Sequence, residues 1–379
     1  MITALRGLSA GSMTEELRHW WRTIDRPVLM GAGLLMLIGL VLSLATSPVA
    51  ADRIALTDSY YFTIRQAGFV IVACGVLVGA SLLSPRDVRR GAILLYLFAV
   101  LAMALVLLLG HEAKGAQRWI RIAGFSFQPS ELVKPAMIVL AAWLFARRGQ
   151  DPKFPAIAIA LALFAIPAFL LICQPDVGQT GLLTLAFLIV FFVAGLSWWW
   201  IAAFLGAALV GAATLYQTLP HVTERVDGFL KPGATDSYQI ERALDAIASG
   251  DVFGRGIGEG EIKALLPDAH TDFVFAVASE EWGLLGAALL IFLFALIVVR
   301  GLAAARRQDD AFAQYAATGL YVLFGCQVAI NLAVNLHLMP PKGMTLPFLS
   351  YGGSSLLGAA VTLGLALALT RRRPVVPAL

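Results

Sequence analysis

The sequence predicts an all-α polytopic membrane protein of about ten transmembrane helices, with both termini cytoplasmic and one large extracytoplasmic loop. Three observations predict it. The 379 residues are 59% hydrophobic and 14% charged, with a mean hydropathy of +0.81, above the apolar share of an ordinary soluble domain. Apolar runs recur at the length a span needs, roughly 20 residues at about 1.5 Å each across a hydrocarbon layer about 30 Å thick. The basic residues fall in short clusters between those runs rather than on one patch, which points to membrane orientation and away from nucleic acid.

Residues 1–27 read as a cytoplasmic tail: Arg6, Arg18, Arg22 and Arg26 stand among polar residues, and no cleavable-signal pattern precedes the first apolar run. The transmembrane domain follows over 28–370, with spans expected near 28–46, 62–83, 91–109, 130–147, 154–172, 180–195, 198–216, 273–300, 312–335 and 351–370, separated by polar, Pro or Gly residues. Residues 371–379 form the C-terminal cytoplasmic tail. With the N-terminus inside, 16 of the 28 Lys and Arg fall in inner segments, and the Arg86, Arg89, Arg90 and the Arg147, Arg148 clusters abut span ends. The connection over about 217–271 carries nine acids against five basic residues and is too long to be a simple linker.

Within that connection Ser237 is expected to cap a short helix whose Ile240, Leu244 and Ile247 share one face resting on the membrane or the bundle, with Gly250 after its end. Gly254, Gly256, Gly258 and Gly260 are spaced like a phosphate-cradling loop, but no strand precedes them and no Lys-Ser follows, which argues against a nucleotide site. Cys74, Cys173 and Cys326 lie in or beside apolar segments without CxxC spacing, so they read as small packing residues.

Ionisable groups at span ends are costly and mark candidate functional sites. Four clusters meet that test on the outer side. In the first, Arg118, Trp119 and Arg121 precede Gln128-Pro129-Ser130-Glu131-Leu132-Val133-Lys134, where Glu131 and Lys134 are spaced i, i+3 and can pair. The arginines and Lys134 suit an anionic ligand and Trp119 an apolar or sugar-stacking wall, while the plainer role is an interfacial anchor with a neutral ion pair. The second, Gln174-Pro175-Asp176-Val177-Gly178-Gln179, sets a carboxylate at the membrane boundary, where Asp176 can also simply cap the next helix.

The third runs from Leu266 through His270 and Asp272 to Glu280 and Glu281. Asp272 stands where partial desolvation raises proton affinity, which suits a general base; His270 equally fits a solvated loop. The fourth, Met339-Pro340-Pro341-Lys342-Gly343 followed by Leu346-Pro347-Phe348-Leu349-Ser350-Tyr351-Gly352-Gly353-Ser354-Ser355, is a rigid turn whose small residues also permit close helix approach. Residue chemistry thus describes an outward-facing membrane site for an anionic, lipid-linked ligand.

Taken together, Gln117-Arg118-Trp119-Ile120, Gln128 to Lys134, Gln174 to Gly178, Ala269-His270-Thr271-Asp272-Phe273 and Leu346 to Ser355 resemble the motifs of the SEDS family of bacterial shape, elongation, division and sporulation proteins, in order and over nearly the whole chain after the tail. The Pro341-Lys342-Gly343 turn is similar to that of the division branch rather than the rod-shape branch.

The resemblance implies a peptidoglycan glycosyltransferase in the cytoplasmic (inner) membrane, at the division septum. It would polymerise lipid II into glycan strands on the outer face, beside a cognate class B penicillin-binding protein transpeptidase and other membrane proteins of the division complex. It further implies Asp272 as catalytic base for an inverting transfer, and a substrate-binding set of Arg118, Trp119, Glu131, Lys134, Asp176, Arg242, His270, Lys342 and Ser354, with Arg118, Lys134 and Arg242 as candidates to stabilise the leaving pyrophosphate. A divalent cation, magnesium or manganese, is compatible with such oxygen chemistry, though no metal motif demands it. A lipid II flippase or a non-catalytic division scaffold are the alternatives. The charges of the candidate site gather on the outer side and the middle spans are almost purely apolar, which favours the enzyme.

Overall fold

The computed structural model describes residues 10–113, 116–122, 125–195, 197–218, 223, 227, 235–340 and 343–372. Each expected span coincides with a helix: α2 Arg26–Arg53, α3 Tyr61–Leu82, α4 Pro85–Leu109, α5 Ser130–Gln150, α6 Ala156–Cys173, α7 Val177–Val193, α8 Trp198–Thr218, α10 Val274–Ala305, α11 Ala311–Asn335 and α12 Gly353–Thr370. Eight of them are long and apolar enough to cross a membrane; α7 is apolar but shorter, and α5 is not among the eight. The polytopic membrane architecture is therefore present in the helices themselves.

Local chemistry sets the helix starts. The carboxylate of Asp25 accepts the Val28 N–H (3.3 Å) with Pro27 behind it, Ser84 accepts from Asp87 (3.2 Å) ahead of Pro85, and Asp310 accepts from Ala313 (3.3 Å). Each cap satisfies an N–H that the helix cannot pair internally. The segment read as a tail is helical from Ala10 to Thr23 (α1), and its Trp20 is buried with the indole N–H donating to the Ser81 hydroxyl (3.0 Å).

The small-residue helix α12 is the most enclosed of the apolar helices, packed against α3, α5 and α11. Gly358 is what lets it approach α5, because a methyl group there would lie 2.9 Å from the Glu131 Cβ. On the perimeter Ile71, Leu94, Leu101, Leu108, Phe169, Phe292 and Val299 are exposed, an apolar belt that a hydrocarbon surround would cover.

Two features depart from expectation. Between the spans of an expected all-α fold stands a three-stranded antiparallel sheet, β1 His111–Ala113, β2 Ala116–Ile122 and β3 Phe125–Phe127, in the order β1-β2-β3. Trp119, Ile120, Ile122, Phe125 and Phe127 supply the aromatic and β-branched content that favours strands. The amphipathic helix of the long connection (α9) begins at Thr235 rather than at a Ser237 cap and ends at Ser249. Its Ile240, Ala243 and Ala246 are buried, and the two alanines join a cluster with Leu266, Phe273 and Val277, so this face rests on the bundle. The sheet, the loop before α10 and the α11–α12 connection share one end of the bundle. The α1–α2 junction and the α3–α4 and α10–α11 turns lie at the other.

Candidate active site

Asp272 closes a tight turn just before α10. The Asp268 carbonyl, on a residue with φ of 53°, accepts the N–H groups of Thr271 (3.0 Å) and Asp272 (3.1 Å). The Asp272 carbonyl then accepts two side-chain amides from α11, Asn331 Nδ2 at 2.9 Å and Asn335 Nδ2 at 3.0 Å. Asn335 also accepts the Ala276 N–H through Oδ1 (3.2 Å). It thus stands in for the missing turn of helix at the start of α10, satisfying one orphan donor and one carbonyl at once. Asn331 in addition donates to the Met344 carbonyl at 2.6 Å. Both asparagines are buried, so the backbone of Asp272 is fixed while its side chain stays half-buried.

The fourth motif wraps around this turn. Ser350 Oγ donates to the Thr271 carbonyl (2.5 Å) and accepts the Leu346 N–H (2.8 Å), and the Tyr351 N–H donates to the His270 carbonyl (2.8 Å). Phe348 is buried in the left-handed region (φ 66°), an unfavourable conformation for a bulky residue. Gly39 of α2 makes room for it, since a Cβ there would meet the Phe348 carbonyl at 2.5 Å. A Cβ added at Gly343 would lie 3.8 Å from the Asp272 carboxylate, so this turn borders the candidate base directly. Pro341 and Lys342 lie outside the described residues. The His270 ring packs against Phe62 (5.1 Å) and Tyr351 (5.7 Å).

Further along the same motif Ser354 joins the first cluster, accepting the Gln128 N–H (3.0 Å) and donating to the Ser126 carbonyl (3.1 Å). Below it is a buried ionic network. Lys134, 1% exposed, donates to Glu131 (3.0 Å) and to Gln179 Oε1 (2.7 Å), and Gln179 Nε2 returns to the other Glu131 oxygen (3.0 Å). Gln179 N–H caps onto Asp176 (3.3 Å), Asp176 pairs with Arg118 Nε (3.4 Å), and Arg118 Nη2 reaches the Pro175 carbonyl (2.9 Å). Burial pushes the Asp176 carboxyl up from its ordinary range; the Arg118 guanidinium, the Gln179 N–H and Lys134 pull it down, and Glu131 adds to the rise.

A second buried ionic group secures the loop between α9 and α10. Glu280 accepts the N–H groups of Ile262 (2.7 Å) and Lys263 (2.9 Å), while Lys263 Nζ reaches Glu281 (2.6 Å) and the Gly258 carbonyl (2.8 Å). The glycine run serves close approach rather than phosphate. The N–H groups of Arg255 and Gly256 bond the carbonyls of Glu280 and Glu281 (3.0 Å each), and a Cβ at Gly254 would sit 2.1 Å from the Glu281 carbonyl. A cavity of about 250 Å³ remains between this loop and α2, bordered by Arg53, Phe62, Asp268 and His270.

The structure therefore gathers Asp272, His270 and Ser354 through one continuous motif, and Arg118, Glu131, Lys134 and Asp176 into one network adjoining it. Trp119 is half-buried and Arg121 exposed on β2; Arg242 pairs with Asp245 on its own helix (2.9 Å) and stacks over Tyr238. Sequence reading passed over Asn331, Asn335 and Lys263. The signal for the first two was two amides four residues apart in an otherwise apolar span. Among the described residues no three of His, Cys, Asp and Glu converge. The three cysteines are free.

A family model described as cell cycle protein, of the FtsW, RodA and SpoVE type, matches residues 26–374. The chain is 49% identical over 355 residues to a protein of Caulobacter vibrioides named probable peptidoglycan glycosyltransferase FtsW, covering 94% of this chain and 91% of that one. It is 34% identical over 373 residues to a protein of the same name from Geobacter sulfurreducens, covering 96% and 99%. Among solved structures it is similar to a chain from a study of how a peptidoglycan synthase complex coordinates polymerization and crosslinking (TM-score 0.75, 30% identity, 92% and 97% covered). It is also similar to the rod shape determining protein RodA of Thermus thermophilus (TM-score 0.69, 27% identity, 93% and 99% covered).

Proposed function

The chain belongs to the FtsW, RodA and SpoVE family of cell cycle proteins, and from that premise we propose that it is a peptidoglycan glycosyltransferase of the division type, polymerising lipid II at the extracytoplasmic face of the inner membrane. The observation that carries the reading is the backbone clamp on Asp272. Four hydrogen bonds from α11 and the fourth motif fix residues 270–272 and leave a half-buried carboxylate beside Gly343. A positioned base contributes about 10² to 10⁴ in rate, and fixing its backbone is how that positioning is achieved.

In the proposed reaction Asp272 takes the proton of the acceptor 4-hydroxyl. The acceptor oxygen forms a bond to the anomeric carbon of the donor strand, whose bond to polyprenyl pyrophosphate breaks, with inversion. No covalent enzyme intermediate is needed. Arg118 and Arg121, both on β2, are the cations we assign to the departing pyrophosphate, together with Lys342 and, from α9, Arg242. Lys134 neutralises Glu131 within the network and acts through Arg118 and Asp176 rather than on the ligand. Trp119, His270 and Ser354 would line the sugar path. A cognate class B penicillin-binding protein would crosslink the strands, a pairing supported by the likeness to a chain of a synthase complex that both polymerises and crosslinks.

Incubating purified lipid II with the protein and its penicillin-binding partner is expected to give glycan strands resolvable by gel. Transbilayer movement of labelled lipid II in liposomes without any polymer would replace this reading with the flippase, and neither polymer nor movement would leave a scaffold.

A further inference from the structure

The bundle end opposite Asp272 holds a larger cavity, about 640 Å³, enclosed by the α1–α2 junction, the α10–α11 turn and the last turn of α12. Six arginines line it: Arg22, Arg26, Arg300, Arg307, Arg371 and Arg372. Three carboxylates also border it, two of them already engaged. Asp25 pairs with Arg300 at 2.7 Å and Asp310 caps α11, leaving Asp309. The cationic excess is built in rather than incidental. Arg371 is held by the Thr23 hydroxyl (3.2 Å) and the Leu82 carbonyl (3.3 Å), Arg26 by the Trp21 carbonyl (3.0 Å), and the Arg372 N–H by the Thr23 carbonyl (3.1 Å). These bonds fix the α1–α2 junction against the end of α12 and hold like charges around a shared space. Arg22 and Arg307 are exposed, and no side-chain bond joins them to another described residue.

A helix suited to the membrane surface borders the same cavity. α1 buries Trp20 against Ser81 yet leaves Leu17 and Trp21 exposed, apolar residues beside a rim of arginines, the pattern of a helix lying in the headgroup layer. A basic pocket between spans at this depth is suited to an anionic headgroup, and guanidinium groups match phosphate oxygens in a bidentate way. A soluble phosphate would use the arginines but not the flanking apolar surface.

We propose that this cavity binds the phosphate group of an anionic phospholipid, whose acyl chains lie along the exposed flank of α1. The site is independent of the Asp272 chemistry and occupies the other leaflet.

The test titrates the full-length protein in neutral detergent with short-chain phosphatidylglycerol, short-chain phosphatidylcholine and inorganic phosphate, comparing wild type with Arg22→Gln/Arg307→Gln. Each basic residue near a charged headgroup is worth about fivefold in affinity. The double variant should therefore bind phosphatidylglycerol roughly 30-fold more weakly, while Arg22→Lys/Arg307→Lys retains most of it and Arg89→Gln/Arg147→Gln, at positions that line the adjoining pocket and not this cavity, changes little. Both target side chains are exposed, and an unchanged thermal midpoint establishes that the variant is folded. Equal phosphatidylglycerol binding by wild type and the Gln variant overturns the proposal. So does equal affinity of wild type for phosphatidylcholine, or inorganic phosphate binding as tightly as the anionic lipid, which would point to a soluble ligand.

Discussion

At the scale of single residues, the site depends on buried polar groups that tolerate no partial loss. Replacing Lys134 with Met leaves the Glu131 carboxylate buried without its cation, and breaking such a pair costs about 3–5 kcal/mol. Glu131→Gln in the same chain should recover much of that, because a neutral amide still bonds Gln179. Thermal unfolding of the single and double variants in detergent measures both. Asn335→Ala removes one partner from the Asp272 carbonyl and the only side-chain acceptor of the Ala276 N–H among described residues, about 1–3 kcal/mol. If Asn335 positions the base, kcat for strand synthesis falls while KM holds; a change in KM alone would assign it to substrate. Asp176 gives a pH signature. Its carboxyl is raised by burial, so its contribution to stability is fullest below the ordinary carboxylate range and declines as pH rises through the folded value. Asp176→Asn should therefore gain on wild type in unfolding midpoint as pH increases, and a parallel pair of curves would refute the sign. Much of this was legible in the sequence: Glu131 and Lys134 three apart predict their pair, and the Gln174-to-Gly178 break predicts the Asp176 cap. The asparagine clamp was not, because an amide in a span does not announce whether its partner is a side chain, a backbone carbonyl or water.

At the scale of elements, the spans follow from hydropathy and the starts of α2, α4, α7 and α11 from Asp or Ser caps, so these were readable from their own residues. The sheet was harder. Its strands are three to seven residues long, too short for periodicity to separate from a polar connection. The glycine run shows a different limit, since its spacing fits either an anion cradle or a close crossing, and only the position of Glu280 and Glu281 decides. α10 bends at Gly283, with φ of 66°, and a Cβ there would meet the Gly254 nitrogen at 2.4 Å and the Val252 carbonyl at 2.5 Å. Gly283→Ala should detach the loop from the bend. Trypsin would then cut at Arg255 and Lys263 under conditions where wild type resists, and unchanged cleavage would mean that the loop is held by the Glu280 and Glu281 bonds alone.

At the scale of the whole molecule, four sequence clusters separated by up to about 240 residues become one ledge because the last motif is a brace. Ser350 and Tyr351 hold the turn before Asp272, Ser354 holds the strand end before α5, and Gly358 admits Glu131 beside α12. Sequence order alone gave the motifs but not this arrangement, which requires α12 to pass between α3, α5 and α11. The proposed base stands on this ledge, and the charge proposed to stabilise the leaving group comes from Arg118 and Arg121 of β2 with Lys342 and Arg242. The most direct measurement is polymerisation of purified lipid II by the protein with its penicillin-binding partner, comparing wild type with Asp272→Asn after confirming that both fold and bind that partner. Strands are expected from wild type, with a loss of at least about 10²-fold in the variant; equal strand synthesis by the two would place the base elsewhere.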